Sequence, residues 1–388
     1  MVTEVLRNGM RRISAIVLAT ATLANIPAVA QPRTGEPVKI VTTEAGRISV
    51  ENLADGLDHP WGMVFLPDGR LLVTERAGNL RILGTDGELS DPVEGVPEVF
   101  AEGQGGLLDV ALDPDFETNR LVYLSYAAPG PAAGTAATAI GRGRWAGNRI
   151  EDFEVLFRQD PWINGEAHFG GRIVFSPDGY LFLTTGERFQ FEPAQDLSNH
   201  LGKIIRLNPD GSIPEDNPFA DQANAEDEIW TYGHRNIQAA IIHPETGDFW
   251  IAEMGPRGGD ELNRIVPGNN YGWPLVSWGI HYDGEAIPDP PTRPEFTDAV
   301  RHWTPVISPS GMTYYDGDVF PEWTGSVLIG GLTAQGIVRL VLDGRTVAHE
   351  ERIPLGARIR EVETGPDGLI YVLTDEDNGN VWRLRPLE

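Results

Sequence analysis

One unit recurs six times along this 388-residue chain, and the repeat limits the folds that the chain can adopt. Each copy contains an apolar strand, a turn rich in Pro, Asp and Gly, and a second apolar strand that often ends on Thr. The turn prolines lie at positions 67, 114, 177, 244, 321 and 366, so the spacing varies between 45 and 77 residues. A single hairpin cannot bury its own apolar face, whereas small sheets repeated around a ring bury theirs against each other. The sequence therefore predicts an all-β fold, a six-bladed β-propeller.

The segment around VKIVTTEAG, near the N-terminus, is expected to complete the last blade and close the ring. The contents of 45 Gly and 30 Pro agree with a fold of many turns, and almost no stretch has helical periodicity over three turns. Length alone would suggest two domains, but the repeats favour one propeller domain over residues 31–388. A long pair of β-sandwiches is the alternative.

Residues 1–30 have the pattern of a cleaved secretory signal peptide. Arg7, Arg11 and Arg12 precede the apolar run ISAIVLATATLANI, and the small-x-small site AVA ends at position 30. A membrane anchor is the weaker alternative, because the run is shorter than the roughly 20 apolar residues of a spanning helix. We therefore expect a periplasmic or secreted protein with no membrane span in the mature chain.

Composition and motifs exclude several kinds of function. The chain has no Cys, which excludes thiol chemistry, and a net charge of −27, which argues against nucleic acid as a partner. No GxGxxG between a strand and a helix, no GxxxxGK[ST] and no HExxH occurs, so nicotinamide, nucleoside triphosphate and zinc-protease chemistry are unsupported. Ser-His-Asp hydrolysis stays open, although no GxSxG elbow is present.

The turn at Ser176–Gly179 fixes the register of its hairpin and predicts a polar pair. Facing residues of an antiparallel hairpin have a constant index sum, and here that sum places His168 opposite Glu187. A carboxylate in this position can hold one imidazole nitrogen, as in a general base. The same rule at two other turns pairs Arg235 with Pro256, Asn236 with Gly255, Arg358 with Asp375, and Arg360 with Leu373.

These polar residues, together with Gln104, lie six to ten residues before their turns. If the strand before each turn is the innermost, they converge on one rim of the central channel. Taken singly, a strand His usually packs in the core, and an Arg near a strand start is usually solvated or ion-paired. Their common height in four blades favours a site, and three arginines beside an Asn and a Gln suit a planar anionic ligand.

The segment MGPRGGDELNRIVPGNNYGWP, residues 254–274, offers oxygen ligands for a hard cation such as calcium. These are free carbonyls at Gly255 and Pro256 and the Glu261 carboxylate near Tyr271. Acidic residues in loops are mostly only solvated, so the metal is suggested by chemistry alone.

Several segments, taken in order, cover nearly all of the mature chain: LDHPWGMVFLPDGRLLVTER, GQGGLLDVALDPDF, HFGGRIVFSPDG, AQDLSNHLGKIIRLNPDGSIPEDNPF, GHRNIQ to NNYGWP, SPSGMTYYDGDVFPEW and RIREVETGPDGLIYVLTD. With them the chain resembles the soluble pyrroloquinoline-quinone (PQQ)-dependent aldose sugar dehydrogenases of the glucose/sorbosone dehydrogenase family. The resemblance implies a six-bladed propeller, in agreement with the repeat. It also implies oxidation of an aldose sugar to a lactone, with electrons passed on to an unidentified acceptor.

The resemblance also implies roles for single residues. His168 would take the proton of the anomeric hydroxyl before hydride passes to the quinone, and Arg235 would stabilise charge on the quinone oxygen. A calcium at the Gly255 and Pro256 carbonyls would polarise the quinone, and a second would use Glu261 and Tyr271. The cofactor and its carboxylates would be held by Gln104, Asn236, Tyr282, Arg358 and Arg360.

Two positions depart from the family pattern. Thr333 stands in GGLTAQGIVRL where relatives commonly have a lysine, which removes a cation from the cofactor site and is expected to weaken PQQ binding. Glu187 stands where relatives often have aspartate, and its extra methylene could change how His168 is oriented.

Two other functions stay open from the sequence. A calcium-dependent lactonase on a similar propeller would turn over esters or lactones with calcium alone, and an acidic cluster around the channel metal would favour it. A propeller that binds sugar or protein without catalysis is the second alternative, and the missing lysine keeps it open.

Overall fold

The computed structural model describes residues 37–287 and 291–387, so the predicted signal peptide lies outside the described residues. Six antiparallel sheets are arranged as the blades of a β-propeller, which confirms the predicted fold and makes the paired-sandwich alternative wrong. None of the helices in the described ranges is long and apolar enough to cross a membrane.

The strands are numbered in chain order, and each blade begins with its innermost strand. Blade 1 contains β3 (Pro60–Phe65), β4 (Leu71–Glu75) and β5 (Asn79–Leu83). Blade 2 contains β6 (Leu107–Leu112), β7 (Leu121–Pro129), β8 (Thr135–Trp145), β9 (Ile150–Arg158) and β10 (Ile163–Asn164), with the short helix α1 (Phe116–Asn119) between β6 and β7. Blade 3 contains β11 (Gly170–Phe175), β12 (Leu181–Thr185), β13 (Lys203–Leu207) and β14 (Ile229–Tyr232), with a 3-10 helix at Glu192–Gln195.

The other three blades follow the same plan. Blade 4 contains β15 (Ile237–Ile242), β16 (Phe249–Glu253), β17 (Asp260–Ile265) and β18 (Arg301–Trp303). Blade 5 contains β19 (Pro309–Tyr315), β20 (Ser326–Gly331), β21 (Gly336–Asp343) and β22 (Thr346–Pro354). Blade 6 contains β23 (Ile359–Thr364), β24 (Ile370–Thr374) and β25 (Gly379–Leu387), and it is completed by β2 (Gly46–Leu57) and β1 (Pro37–Thr43). The N-terminal strands therefore close the ring on the last blade, as predicted.

The first strand of each blade lies next to the channel. These strands contact one another in the order β3, β6, β11, β15, β19 and β23, and β23 contacts β3 again. The core lies between blades: on β4, Leu71 and Val73 pack toward blade 6, whereas Leu72 packs toward blade 2. Both faces of a blade are buried against its neighbours. The middle strands therefore contain runs of apolar residues instead of alternating apolar and polar ones.

Every innermost strand contains one extra residue near its start, which shifts the register there. These β-bulges lie within Pro60–Met63, Leu107–Val110, Gly170–Ile173, Ile237–Ala239, Pro309–Met312 and Ile359–Glu361. A bulge leaves its extra residue unpaired and turns the neighbouring side chains. All six bulges lie on the channel strands, close in sequence to several of the predicted site residues.

The observed strand registers decide which predicted pairs are correct. The pairing of Arg360 with Leu373 is wrong, because Glu361 is the residue opposite Leu373. The pairing of Arg235 and Asn236 with Pro256 and Gly255 is also wrong, since the main-chain oxygen of Asn236 accepts a hydrogen bond from Met254. The contacts of His168 with Glu187 and of Arg358 with Asp375 are confirmed.

Candidate active site

A cavity of about 230 Å³ lies where the innermost strands begin. It receives side chains from several blades, including Trp61 of blade 1, Gln238 of blade 4 and Arg360 of blade 6. Two more predicted residues, Gln104 and Arg358, also line it. The predicted convergence on one rim is therefore confirmed for these arginines and for Gln104.

His168 and Glu187 form a buried pair beside this cavity. The imidazole Nδ1 lies 2.5 Å from Glu187 Oε1, and the two residues are 3% and 0% exposed. The other carboxylate oxygen of Glu187 accepts a hydrogen bond from the Phe191 amide at 3.0 Å. The main-chain amide of His168 donates to Gln104 Oε1 at 2.9 Å, so Gln104 holds the backbone that carries the imidazole.

The surroundings of His168 favour its neutral form. Burial lowers the pKa of His168, and the Arg235 and Arg188 cations lower it further, whereas the hydrogen bond and charge of Glu187 act in the opposite direction. With Glu187 accepting the proton of Nδ1, the lone pair of the neutral ring is on Nε2. Among the described residues Nε2 has no hydrogen-bond partner, so the ring is prepared to accept a proton there.

Arg235 is fixed by the residues that follow β16. Its Nη1 donates to the Met254 and Gly255 carbonyls at 2.9 and 2.8 Å, and its Nη2 donates to the Tyr282 hydroxyl at 3.3 Å. Its main-chain amide donates to Glu253 Oε2 at 2.7 Å. The expectation of a free Gly255 carbonyl is therefore wrong, because a guanidinium occupies it.

Asn236 contacts the main chain next to His168. Its Oδ1 accepts hydrogen bonds from the Gly170 amide and from Gln238 Nε2, each at 3.2 Å. Its Nδ2 lies 3.9 Å from the Met254 sulfur. Asn236 thus links the start of β11 to blade 4, and its predicted contact with a cofactor stays a prediction.

Three guanidinium groups line the cavity together with a single lining carboxylate. Arg358 and Arg360 both donate to Asp375 Oδ2, at 2.8 and 3.0 Å. Burial alone would raise the pKa of Asp375, but Arg360 and Arg358 outweigh it and hold the pKa at about 2. Arg76 is the third guanidinium, and its Nη1 donates to the Gly103 carbonyl at 2.8 Å. The cavity therefore carries an excess of positive charge, which an anionic ligand would neutralise.

The remaining two predicted cofactor residues lie at the edge of the site. Tyr282 is 59% exposed, and its ring lies nearly parallel to that of Phe189 at a centroid distance of 6.2 Å. The Thr333 hydroxyl is hydrogen-bonded to that of Ser308, a residue that lines the cavity. Position 333 thus contributes a neutral pair of hydroxyls to the edge of the site and no cation.

The predicted metal residues surround a second, much smaller cavity of about 20 Å³, lined by Gly255, Glu261 and Tyr271 but not by Pro256. Burial, together with the nearby Glu253 carboxylate, raises the pKa of Glu261 to about 8. Glu253 already contacts the His234 imidazole and the Arg235 amide, whereas the Glu261 carboxylate accepts from Asn263. A proton or a cation at Glu261 would relieve the repulsion between the two carboxylates, and the volume is enough for one ion. The residues present therefore fit a hard cation. The Tyr271 phenol is already bonded to the Arg264 carbonyl and the Val266 amide, so the predicted role of Tyr271 as a metal ligand stays a prediction.

Comparisons with known proteins agree with this geometry. The family model of glucose/sorbosone dehydrogenase matches residues 57–383. The chain belongs to the glucose/sorbosone dehydrogenase family. It is 45% identical over 348 residues to the aldose sugar dehydrogenase YliI of Escherichia coli (strain K12), covering 87% of this chain and 93% of that protein.

Solved structures of the family have the same fold. The apo-form of the soluble aldose sugar dehydrogenase from Escherichia coli is similar with a TM-score of 0.85 and 44% identity, over 88% of this chain and 100% of that one. The PQQ-bound aldose sugar dehydrogenase from Streptomyces coelicolor is similar with a TM-score of 0.72 and 30% identity, over 87% and 98% of the two chains. The family assignment made from the sequence motifs is thus confirmed.

Several residues that line the cavity were not predicted from the sequence. Arg76, Trp61 and Gln238 line the cavity, yet none was singled out from the sequence. Arg76 directly follows β4, the second strand of blade 1, whereas the arginines predicted to reach the rim precede their turns. No sequence signal distinguishes Arg76 from an arginine that is merely solvated after a strand end.

One further group of potential metal ligands occurs in the described ranges, formed by His200, Glu226 and Glu228. His200 Nδ1 accepts a hydrogen bond from the Asp160 amide at 2.9 Å, and Nε2 lies 2.9 Å from Glu228 Oε1. A neutral ring that accepts at Nδ1 carries its proton on Nε2. The Nε2 proton then faces the Glu228 carboxylate, and the imidazole has no lone pair left for a metal.

Proposed function

We propose that this protein oxidises aldose sugars to lactones with PQQ as its cofactor and passes the electrons to a separate acceptor. The observation that carries the proposal is the buried, carboxylate-held His168 beside a cavity with an excess of guanidinium groups. The family assignment and the names of the relatives support the same activity.

The donor set of the cavity fits a quinone that bears carboxylates. Arg358 and Arg360 share the single carboxylate of Asp375, and Arg76 adds a further positive charge. The Phe169 ring and the Trp61 indole add apolar surface to the lining, which suits a planar ligand. When bound, PQQ would supply the two-electron acceptor for the hydride that leaves the anomeric carbon.

His168 would act as the general base. Its Nε2 would accept the proton of the anomeric hydroxyl, while the carbon–hydrogen bond breaks and the lactone carbonyl forms. Glu187 would stabilise the imidazolium through the hydrogen bond to Nδ1, in the manner of the carboxylate of a catalytic triad. Because the pair is buried, this stabilisation acts in a medium where charges interact strongly.

Arg235 would stabilise negative charge that develops on the acceptor side. Its guanidinium is fixed by two carbonyls and the Tyr282 hydroxyl, so it needs little reorganisation during the reaction. Calcium at the buried Glu261 and Glu253 carboxylates would remove their mutual repulsion and brace the loop that presents Gly255 and Pro256.

The test is to purify the protein, add calcium and PQQ, and assay dye reduction with a panel of aldoses. We expect dye reduction only when calcium, PQQ and an aldose are all present. Absence of activity, together with an unchanged PQQ absorption spectrum, would refute the proposal. Lactone hydrolysis with calcium alone would favour the lactonase alternative, which the guanidinium-rich cavity does not favour.

The N-terminal pattern supports export of the chain to the periplasm or out of the cell. Mass determination of the protein from a periplasmic fraction should show cleavage before Gln31. A cytoplasmic protein that keeps residues 1–30 would contradict this part of the proposal.

A further inference from the structure

Arg188 directly follows Glu187 and is one of the largest fully buried side chains, with 1% of the residue exposed. Within the described ranges, no carboxylate lies at ion-pair distance from its guanidinium. A buried cation is costly unless its N–H groups are satisfied, so its hydrogen bonds show where this cost is offset.

The guanidinium donates to three main-chain carbonyls. Nε donates to Ala167 at 2.9 Å, Nη2 to Gly165 at 2.6 Å and Nη1 to Ala136 of β8 at 2.7 Å. Its central carbon also lies 3.7 Å from the centre of the Phe169 ring. Arg188 thus contacts the chain on both sides of His168 and links it to blade 2.

The segment that carries His168 needs such support. His168 has φ 52°, a left-handed value that costs a non-glycine residue on the order of 1 kcal/mol, and Gly165 and Gly170 also have positive φ. The segment precedes β11, so strand pairing does not fix it. Such a backbone persists only where its surroundings over-determine it.

We propose that Arg188 is a positioning residue for the oxidation, which fixes the main chain around His168 through its three carbonyl contacts and places a buried positive charge near the imidazole. The proposal rests on the proposed function of His168 as the base. The charged groups that face His168 are the Glu187 carboxylate, which favours the imidazolium, and the Arg235 and Arg188 guanidiniums, which oppose it. Without Arg188, one of the two opposing charges would be lost.

The experiment compares wild type with Arg188→Gln and Arg188→Lys by NMR titration of the histidine Cε1–H signals in the apo-protein. The chain has eight histidines, and the His168 signal is assigned as the one lost in His168→Asn. In Arg188→Gln, which removes the charge, His168 should titrate at higher pH than in wild type. In Arg188→Lys, which keeps the charge but loses the three-carbonyl contact, it should titrate close to the wild-type pH.

Turnover of the PQQ-loaded enzyme gives the second readout. Both variants should lose kcat, on the order of 10–100-fold, because a displaced base loses alignment, while the KM for the aldose changes little. The matched control is Arg206→Gln. Arg206 is another buried arginine, which lies on β13 and stacks on Tyr180, away from His168. This control should lose stability without moving the His168 titration.

A merely structural role would lower thermal stability in both variants but leave the His168 titration and kcat at wild-type values, and that result would overturn the proposal. If Arg188→Gln does not fold, an unchanged kcat in Arg188→Lys would overturn it instead. The titration needs neither PQQ nor sugar. A wild-type protein without PQQ-dependent activity would therefore count against the proposed function and leave the titration to decide the effect of Arg188's charge.

Discussion

The protonation state of His168 determines at which pH the site can act. Burial lowers the pKa of this imidazole below its ordinary value of about 6.5, and nearby guanidiniums add to this effect. A base with a lowered pKa stays unprotonated to lower pH, and it is lost only when the pH falls through that lowered pKa.

The acid limb of kcat/KM against pH is therefore expected below about pH 6.5, the value for a free imidazole. His168→Asn should reduce kcat by about 10²–10⁴-fold, the usual range for a lost general base, and should remove this limb. Steady-state kinetics across pH 4–9 with saturating PQQ measure both effects. A limb that is unchanged in His168→Asn would assign the titration to another group.

Arg76 adds a positive charge to the lining of the cavity, whereas Thr333 at its edge is neutral. Arg76→Gln should weaken PQQ binding by about 10–100-fold, the range expected for losing a hydrogen bond to a charged group. Fluorescence titration of the apo-protein with PQQ measures the Kd directly. Arg70→Gln is the control, because Arg70 is paired with Asp68 in the blade 1 turn, away from the cavity. Equal Kd values for Arg76→Gln and wild type would show that Arg76 takes no part in binding.

Individual site residues could be found from the sequence where a hairpin turn fixed their register. The Ser176–Gly179 turn located His168 opposite Glu187, and the turn before Gly368 located Arg358 opposite Asp375. Arg188 and Arg76 could not be found in this way, because an arginine after a strand end reads like an ordinary solvated residue. Burial and hydrogen bonding, which only the fold defines, distinguish them.

The bulges of the innermost strands are the elements that shape the rim. Each inserts one extra residue before regular pairing begins, so the residues beyond it are displaced by one position relative to a plain hairpin. This displacement is why the Asn236 carbonyl accepts a hydrogen bond from the Met254 amide instead of Asn236 lying opposite Gly255. Sequence alone could not place the bulges, since apolar runs continue through them without a break.

Gly186 is the tightest point between β12 and the chain at His168. A Cβ at this glycine would lie 2.0 Å from the His168 carbonyl oxygen, far inside any possible contact. Gly186→Ala should therefore displace His168 and lower kcat by on the order of 10²-fold while PQQ still binds.

The control for this substitution is Gly179→Ala, whose added methyl group meets no heavy atom within 4 Å. Because Gly179 has φ +91°, this variant should lose stability of the order of 1 kcal/mol without a change in kcat. Comparison of kcat and thermal unfolding for both variants separates the two effects. A fully active Gly186→Ala enzyme would contradict the positioning of His168 described above.

Across the whole molecule, Arg172 contacts residues of four other blades in the channel. Arg172 of β11 lies 4.0 Å over the Trp61 ring and donates to the Gln238 carbonyl at 2.7 Å, to Asp109 at 3.4 Å and to Glu361. These contacts connect blade 3 with blades 1, 2, 4 and 6. Burial, only partly opposed by Arg172, raises the pKa of Glu361 to about 7.

Arg172→Met should lower the free energy of unfolding by about 3–5 kcal/mol, because it leaves buried carboxylates without their cation. Adding Glu361→Gln to this variant should restore part of the loss, since it removes one of those charges. Thermal melting of the two variants and of wild type measures the difference. Equal melting temperatures for Arg172→Met and wild type would show that the channel arginine does not join the blades energetically.

The ring of six blades was predictable from the sequence because each copy repeats a turn and two apolar strands. The contacts across the channel were not, because residues such as Arg172 and Glu361 meet only after distant copies have closed into a ring. A repeat therefore specifies the blades, whereas the site depends on how six strand starts face one another.

The most direct test of the account follows the absorption of protein-bound PQQ after one equivalent of aldose is added without an electron acceptor. In wild type we expect the spectrum to change to that of the reduced quinone. In His168→Asn we expect the same amount of PQQ to bind but reduction to be slower by at least about 10²-fold. Bound PQQ that aldose does not reduce in wild type, or reduces equally fast in both proteins, would contradict the account.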